Sequence, residues 1–217
     1  LPAMGLERRL EYLLGYPHGC VEQTVSAALP QLYLSRLISL DDDQRARIQH
    51  NVEAAIERLR RFQLGDGAFA YWPGAAVADD WGTSYAGHFL LEARRQGFAV
   101  PAGMLQNWLD YQRRVGRNPG AEPWQWAGQA YRLYTLALAG EPEVGAQNRL
   151  REALSTPGRE GSGQQPGYHA ARWLLAAAYL QMGLSDVAAE LTANAAAELE
   201  YDGASYTYGS LLRDQAI

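Results

Sequence analysis

Three glycines, Gly97, Gly140 and Gly183, stand 43 residues apart, and sixteen residues before them stand Trp81, Trp124 and Gly167. Each unit reads as a helix closed by glycine and followed by a second helix, so the repeat is a helical hairpin. Such a hairpin cannot bury its apolar face alone and must stack on its neighbours. Stacked hairpins form an open solenoid or close into a ring, and the spacing alone does not choose. Aromatic and glycine turns precede helix starts at Asp66-Gly67-Ala68-Phe69 and Asp202-Gly203-Ala204-Ser205-Tyr206, and they favour the ring. The expected fold class is all-α, an α/α toroid of stacked hairpins. Because Ile217 falls early in a helix-like run, the ring is expected to be incomplete here.

Helical periodicity supports this along the chain. After Asp41-Asp42-Asp43, a capping run, Ile48, Val52, Ala55, Leu59 and Phe62 recur at steps of four and three. They make one apolar stripe, stopped by Gly65. Further helices are expected from Asp79-Asp80 to about Gln96, from Pro101 to about Val115, from Glu122-Pro123 to Gly140 and from Pro166 to Gly183. Ser185 is the expected cap of one running to about Leu199. Only Ala68–Trp72 and Tyr206–Tyr208 suggest short extended pieces.

Composition narrows the function classes. With 47% apolar and 20% charged residues, 217 residues can bury a sizeable core as one domain. A net charge of −5 argues against a nucleic-acid partner. The apolar run around Leu174–Leu180 is too short to span a bilayer, so no direct membrane contact is expected. No signal peptide is visible, and the opening at Leu1-Pro2 without Met suggests a domain cut from something longer. A single cysteine, Cys20, excludes an internal disulfide and a cysteine-cluster metal site. Four scattered histidines give no metal signature, and no cofactor is implied. His50 reads as solvated surface, and His88 and His169 as core or boundary residues. All nineteen bases are Arg, which fits a GC-rich coding bias.

Chemistry concentrates in Tyr16-Pro17-His18-Gly19-Cys20-Val21-Glu22-Gln23-Thr24. Pro17 and Gly19 make a turn, and a helix pattern resumes with Val21, Val25, Ala28, Leu29 and Leu32, bent by Pro30. Cys20 therefore sits at a helix N-terminus, a place that favours a thiolate. Gln23, three residues on, is within reach in a first helical turn. A thiolate attacking its carboxamide would expel ammonia and leave an internal thioester. An amide is a poor electrophile, so the turn must supply orientation and oxyanion stabilisation. The product is an activated acyl group that an amine or hydroxyl can take, and it needs a dry setting.

Gly19-Cys20-Val21-Glu22-Gln23 resembles the thioester signature of the α2-macroglobulin and complement superfamily. The flanks resemble its bacterial branch: Leu6–Leu13, Tyr16-Pro17, Phe69–Gly74, Trp81–Ala93 and Tyr208–Asp214. The resemblance implies an α/α-toroid thioester domain, residues 1–217, within a longer chain of macroglobulin-like sandwich domains. It implies a broad-spectrum protease inhibitor, a single-turnover covalent trap and not an enzyme. Cleavage of a bait elsewhere exposes the thioester, and an amine of the attacking protease is acylated. Target proteases and neighbouring macroglobulin-like domains are the implied partners. The implied place is the periplasm, with the parent lipid-anchored to a bacterial membrane. Carried over by position, Cys20 supplies the thiol and Gln23 the acyl group, with Gly19 and Glu22 as motif residues. Some complement relatives use an acyl-accepting His. Counting places it at Leu136, and helix pattern places it in the loop Gly116–Glu122, with Arg117 and Asn118; neither holds His. Direct amine attack is therefore implied, and absence of Lys would keep the domain from consuming its own thioester.

His18 is a candidate base beside Cys20, weighed against a packing residue. Tyr16, Tyr71, Trp72 and Trp81 are candidates for the dry shield, weighed against ordinary core aromatics. Trp124 and Trp126 read as core. Arg58-Leu59-Arg60-Arg61 reads as a solvated face, and Gly161–Pro166 as a loop. Two other functions fit the fold or the residues: an α/α-toroid glycoside hydrolase, with no placed acid pair, and a Cys-dependent hydrolase using Cys20 and His18.

Overall fold

The computed structural model describes residues 13–117, 122–155 and 167–193. Readings that rest on the flanks before residue 13 and at Tyr208–Asp214, on Asn118, on Gly161–Pro166, on the Asp202–Tyr206 turn and on the helix end near Leu199 lie outside them. The chain divides into two compact units, Leu1–Tyr111 and Gln112–Ile217. Among the described residues helices dominate, and none is long and apolar enough to cross a membrane.

In the first unit, α1 (Val21–Ala28) ends where Pro30 cannot donate to the helix. The expected bend is a break: a 3-10 turn covers Pro30–Tyr33, and α2 (Leu34–Leu37) follows. Asp41 caps α3 (Asp42–Leu59), whose buried face carries Ile48, Asn51, Val52, Ala55, Ile56 and Leu59. Asp79 caps α4 (Asp80–Arg95) by accepting from Gly82 N–H at 2.6 Å. The part of α5 (Ala102–Gly116) up to Tyr111 belongs to this unit and brings Trp108 into its core, fully buried, where its indole N–H donates to Thr83 O at 2.8 Å. α1 packs against α3 and α4. Between α3 and α4 the chain doubles back through the isolated bridges Gln63–Phe69 and Ala70–Ala78. Of the extended piece expected at Ala68–Trp72, only Phe69 and Ala70 are bridged, and Tyr71 and Trp72 lie in a bend.

The second unit holds α6 (Trp126–Leu138), α7 (Val144–Ser155), α8 (Tyr168–Gln181) and α9 (Ser185–Thr192). α6 lies along α8, and α9 packs on α8. Trp126, Leu133, Leu136, Leu175 and Tyr179 are buried at its centre. α7 is the second helix that the repeat requires after Gly140.

The repeat is visible in how helices end. Gly97, Gly140 and Gly183 all have φ between 76° and 92°. In each case the following residue reaches back to a carbonyl in the last turn: Phe98 to Ala93 O, Glu141 to Leu136 O and Leu184 to Tyr179 O, at 2.9–3.0 Å. That is one closure used three times, and the left-handed residue it needs is glycine. Two expectations fail locally. Ser185 is the first residue of α9, and Leu184 holds the cap position with no side-chain bond. Trp124 is 71% exposed, because a 3-10 turn at Pro123–Gln125 precedes α6 and only Trp126 turns inward.

Buried amides fix the segment leading to Cys20. Gln31 Nε2 donates to Gly15 O at 3.0 Å, and Asn51 Nδ2 donates to Leu14 O and Gln31 Oε1, both at 3.1 Å. A buried carbonyl without a donor is costly, so these bonds hold the strand of chain before the turn in one place.

Candidate functional site

Gly19, at φ +83°, reverses the chain, and Cys20, with φ −74° and ψ 178°, caps α1. Two reciprocal bonds join cap and helix. Gln23 N–H donates to Cys20 Sγ at 3.5 Å, and Cys20 N–H donates to Gln23 Oε1 at 3.1 Å. This is a capping box with a thiol in the usual place of a hydroxyl. Cys20 is only 2% exposed, while Gln23 is exposed. A Cβ on Gly19 would lie 1.9 Å from Gln23 Oε1 and 2.8 Å from its Cδ. The backbone angle requires glycine, and a Cβ here would displace the Gln23 carboxamide from the cap.

Other elements hold this turn. From α3, Arg58 Nη2 donates to Gly19 O at 2.6 Å and Nε donates to Thr24 Oγ1 at 3.2 Å. From the doubled-back segment, Tyr71 O accepts from Val21 N–H at 3.1 Å. The Tyr71 hydroxyl donates to Glu22 Oε2 at 3.3 Å. A hydrogen bond with the Cys20 side chain, with burial and the nearby acids behind it, pushes the Tyr71 phenol up to about 12. Tyr71 keeps its proton and acts as a donor to its acidic neighbours.

Of the shield candidates, Tyr71 bonds to the motif residues, through its carbonyl to Val21 and its hydroxyl to Glu22. Trp72 is 53% exposed and meets the Tyr71 ring edge-on at 5.7 Å. Tyr16 is 55% exposed, with its ring 6.0 Å from that of His50, which is itself exposed. Trp81 is half-buried. His18 is exposed, which corrects its reading as a packing residue, and no described hydrogen bond joins it to Cys20. Arg58 is half-buried, not a solvated residue. The signal for it was its place on the helical face of Asn51, Ala55 and Phe62. Among the described residues no cluster of His, Cys, Asp and Glu could hold a metal.

The turn sets a nucleophile and an acyl carbon one helical turn apart, with a backbone donor on the acyl oxygen. Chemically, that arrangement is suited to acyl transfer. It lies within residues 2–116, which match the family model described as the A-macroglobulin TED domain. The chain belongs to that family.

The alpha-2-macroglobulin of Escherichia coli is 28% identical over 70% of this chain and 10% of its own length. That of Xylella fastidiosa is 31% identical over 65% of the chain and 9% of its own length. The chain thus spans about a tenth of these curated relatives. Among solved structures, Salmonella alpha-2-macroglobulin reacted with methylamine aligns with a TM-score of 0.77 at 28% identity, over 100% of this chain and 14% of that one. Native E. coli alpha-2-macroglobulin, from domain MG7 to the C-terminus, gives 0.75 at 25% identity, over 99% of this chain and 35% of that one. With these neighbours the fold class is the expected α/α toroid.

Proposed function

We propose that this TED domain carries a thioester between Cys20 Sγ and Gln23 Cδ and serves a protease-trapping parent chain. The observation that carries the reading is the Cys20–Gln23 capping box, with thiol and carboxamide in reciprocal contact. The sulfur bonds to Cδ, the carboxamide C–N bond breaks, and the thiol proton leaves with ammonia. After cleavage elsewhere in the parent, an amine of the attacking protease takes the Gln23 acyl group and the proton returns to sulfur. Each molecule reacts once, so the parent is an inhibitor and not an enzyme. Relatives solved as "reacted with methylamine" and "trypsin activated" support this reading. Macroglobulin-like domains adjoin this one in the parent, and the parent is a lipid-anchored periplasmic protein. Cell fractionation that recovers it in the cytosol would refute that placement.

The test is intact mass on the full-length parent. It should be lighter than its sequence by one ammonia and show no titratable thiol. Methylamine should add its own mass at Gln23 and release the thiol of Cys20. Cys20→Ala should lose both effects. An unreacted carboxamide beside a titratable thiol in the freshly isolated parent would defeat the proposal.

A further inference from the structure

A primary amide resists attack by sulfur unless donors are fixed on the oxygen where charge develops. One such donor is the Cys20 backbone N–H, 3.1 Å from Gln23 Oε1. The other end of the same peptide unit is the Gly19 carbonyl, which accepts from Arg58 Nη2 at 2.6 Å. A cation on a peptide carbonyl polarises the unit and strengthens its N–H as a donor. The guanidinium is itself held. Its Nε donates to the hydroxyl of the fully buried Thr24, and its carbon lies 5.5 Å from the ring centre of buried Phe62. A planar fork anchored at several points orients the peptide it grips, which a flexible ammonium does less well.

We propose that Arg58 is a positioning residue for the acyl chemistry: it holds and polarises the Gly19–Cys20 peptide so that the Cys20 N–H stabilises the oxyanion at Gln23. This rests on the thioester reading. The same oxyanion forms twice. When the bond is made, Sγ adds to Cδ, negative charge collects on Oε1, and ammonia departs with the thiol proton. When the bond is opened, the amine nitrogen adds to Cδ, charge collects on Oε1 again, and Sγ leaves with the amine proton. Arg58 therefore acts on both steps without touching a reacting atom.

The test uses the full-length parent as wild type, Arg58→Ala, Arg58→Lys and Ile56→Val, the last a small core truncation elsewhere on α3. Intact mass reads the fraction lighter by one ammonia, and thiol release reads the rate with methylamine. In Arg58→Ala the preformed bond should react roughly tenfold to a hundredfold more slowly, the worth of one hydrogen bond to a charged group. Added guanidinium ion should restore part of that rate, Arg58→Lys should fall between, and Ile56→Val should react as wild type. If Arg58→Ala does not fold, the slower rate of Arg58→Lys carries the test. A folded Arg58 variant that reacts at the wild-type rate overturns the proposal. So does a slowing that guanidinium leaves unchanged and that Ile56→Val shares. A wild-type parent with neither the mass deficit nor methylamine uptake refutes the thioester itself, whatever Arg58 does.

Discussion

Two helices of the first unit begin with the same pair of hydrogen bonds. At α3, Asp41 Oδ1 accepts from Gln44 N–H at 2.7 Å, and Gln44 Oε1 accepts from Asp41 N–H at 3.0 Å. At α1, Cys20 and Gln23 exchange the same bonds at 3.5 and 3.1 Å. Both are capping boxes with glutamine in the third helical position. They differ in the atom at the cap and in its surroundings. Asp41 is an exposed carboxylate with no nucleophilic prospect against an amide. Cys20 is a buried sulfur, preceded by a left-handed glycine and gripped by residues from α3 and the Tyr71 segment. The comparison teaches that an ordinary helix cap already brings cap and third residue into acyl-transfer range. Reactivity then requires only a nucleophile, a fixed peptide donor and exclusion of water.

The largest effect should come from making the first box like the second. Cys20→Asp retains an acceptor for the Gln23 N–H but removes the sulfur, so the mass deficit and methylamine uptake should vanish while α1 still forms by circular dichroism. A deficit that survives the change would break the comparison. The converse perturbation is smaller. Asp41→Ala removes the cap of α3 and should cost about 1 kcal/mol of stability, measured by denaturant unfolding. Its methylamine rate should match wild type, because that box carries no chemistry; a slowed reaction would show the two boxes to be coupled.

The smallest effect concerns pH. Burial first, then the Glu92 carboxylate that accepts its hydroxyl, pushes Tyr33 from 10.0 up to about 12. Where Cys20 is a free thiol, as in the methylamine-treated protein, the Cys20 bond first, then burial, does the same to Tyr71. The folded chain holds phenol protons that the unfolded chain begins to release near pH 10. This contribution to stability is complete below pH 10 and is lost as pH rises to 12. Phenolate absorbance and alkaline unfolding should show it. Tyr71→Phe should flatten part of the loss, and Asp41→Ala should leave it unchanged. An alkaline loss in the methylamine-treated protein that Tyr71→Phe leaves unchanged would contradict the donor role of Tyr71.

Much of the fold was legible because its determinants are local. Gly97, Gly140 and Gly183 end helices by one repeated closure, and acidic caps at Asp41 and Asp79 start them. Trp124 misled because it was read as core beside Trp126, whereas a short 3-10 turn carries it outward and only Trp126 turns in. Ser185 misled because a capping residue type is not a cap unless its side chain reaches the helix N–H groups. At the site, the Cys20–Gln23 pair was readable from spacing, and its reciprocal bonds are those of a helix start. Arg58 was read as solvent-facing because a charged run outweighed its place on the buried stripe of α3.

Sequence by itself determined the contacts made within a single turn of helix: the cap at Cys20, its partner Gln23 and the glycine before them. Their separation is three residues, and backbone geometry closes that distance wherever a helix starts. Only tertiary structure decided that Arg58, 39 residues from Gly19, and Tyr71, 49 residues from Glu22, would meet the turn. Such contacts depend on how α1 seats between α3 and α4. That seating is settled by the burial of whole apolar faces, a sum over many side chains that no short motif records.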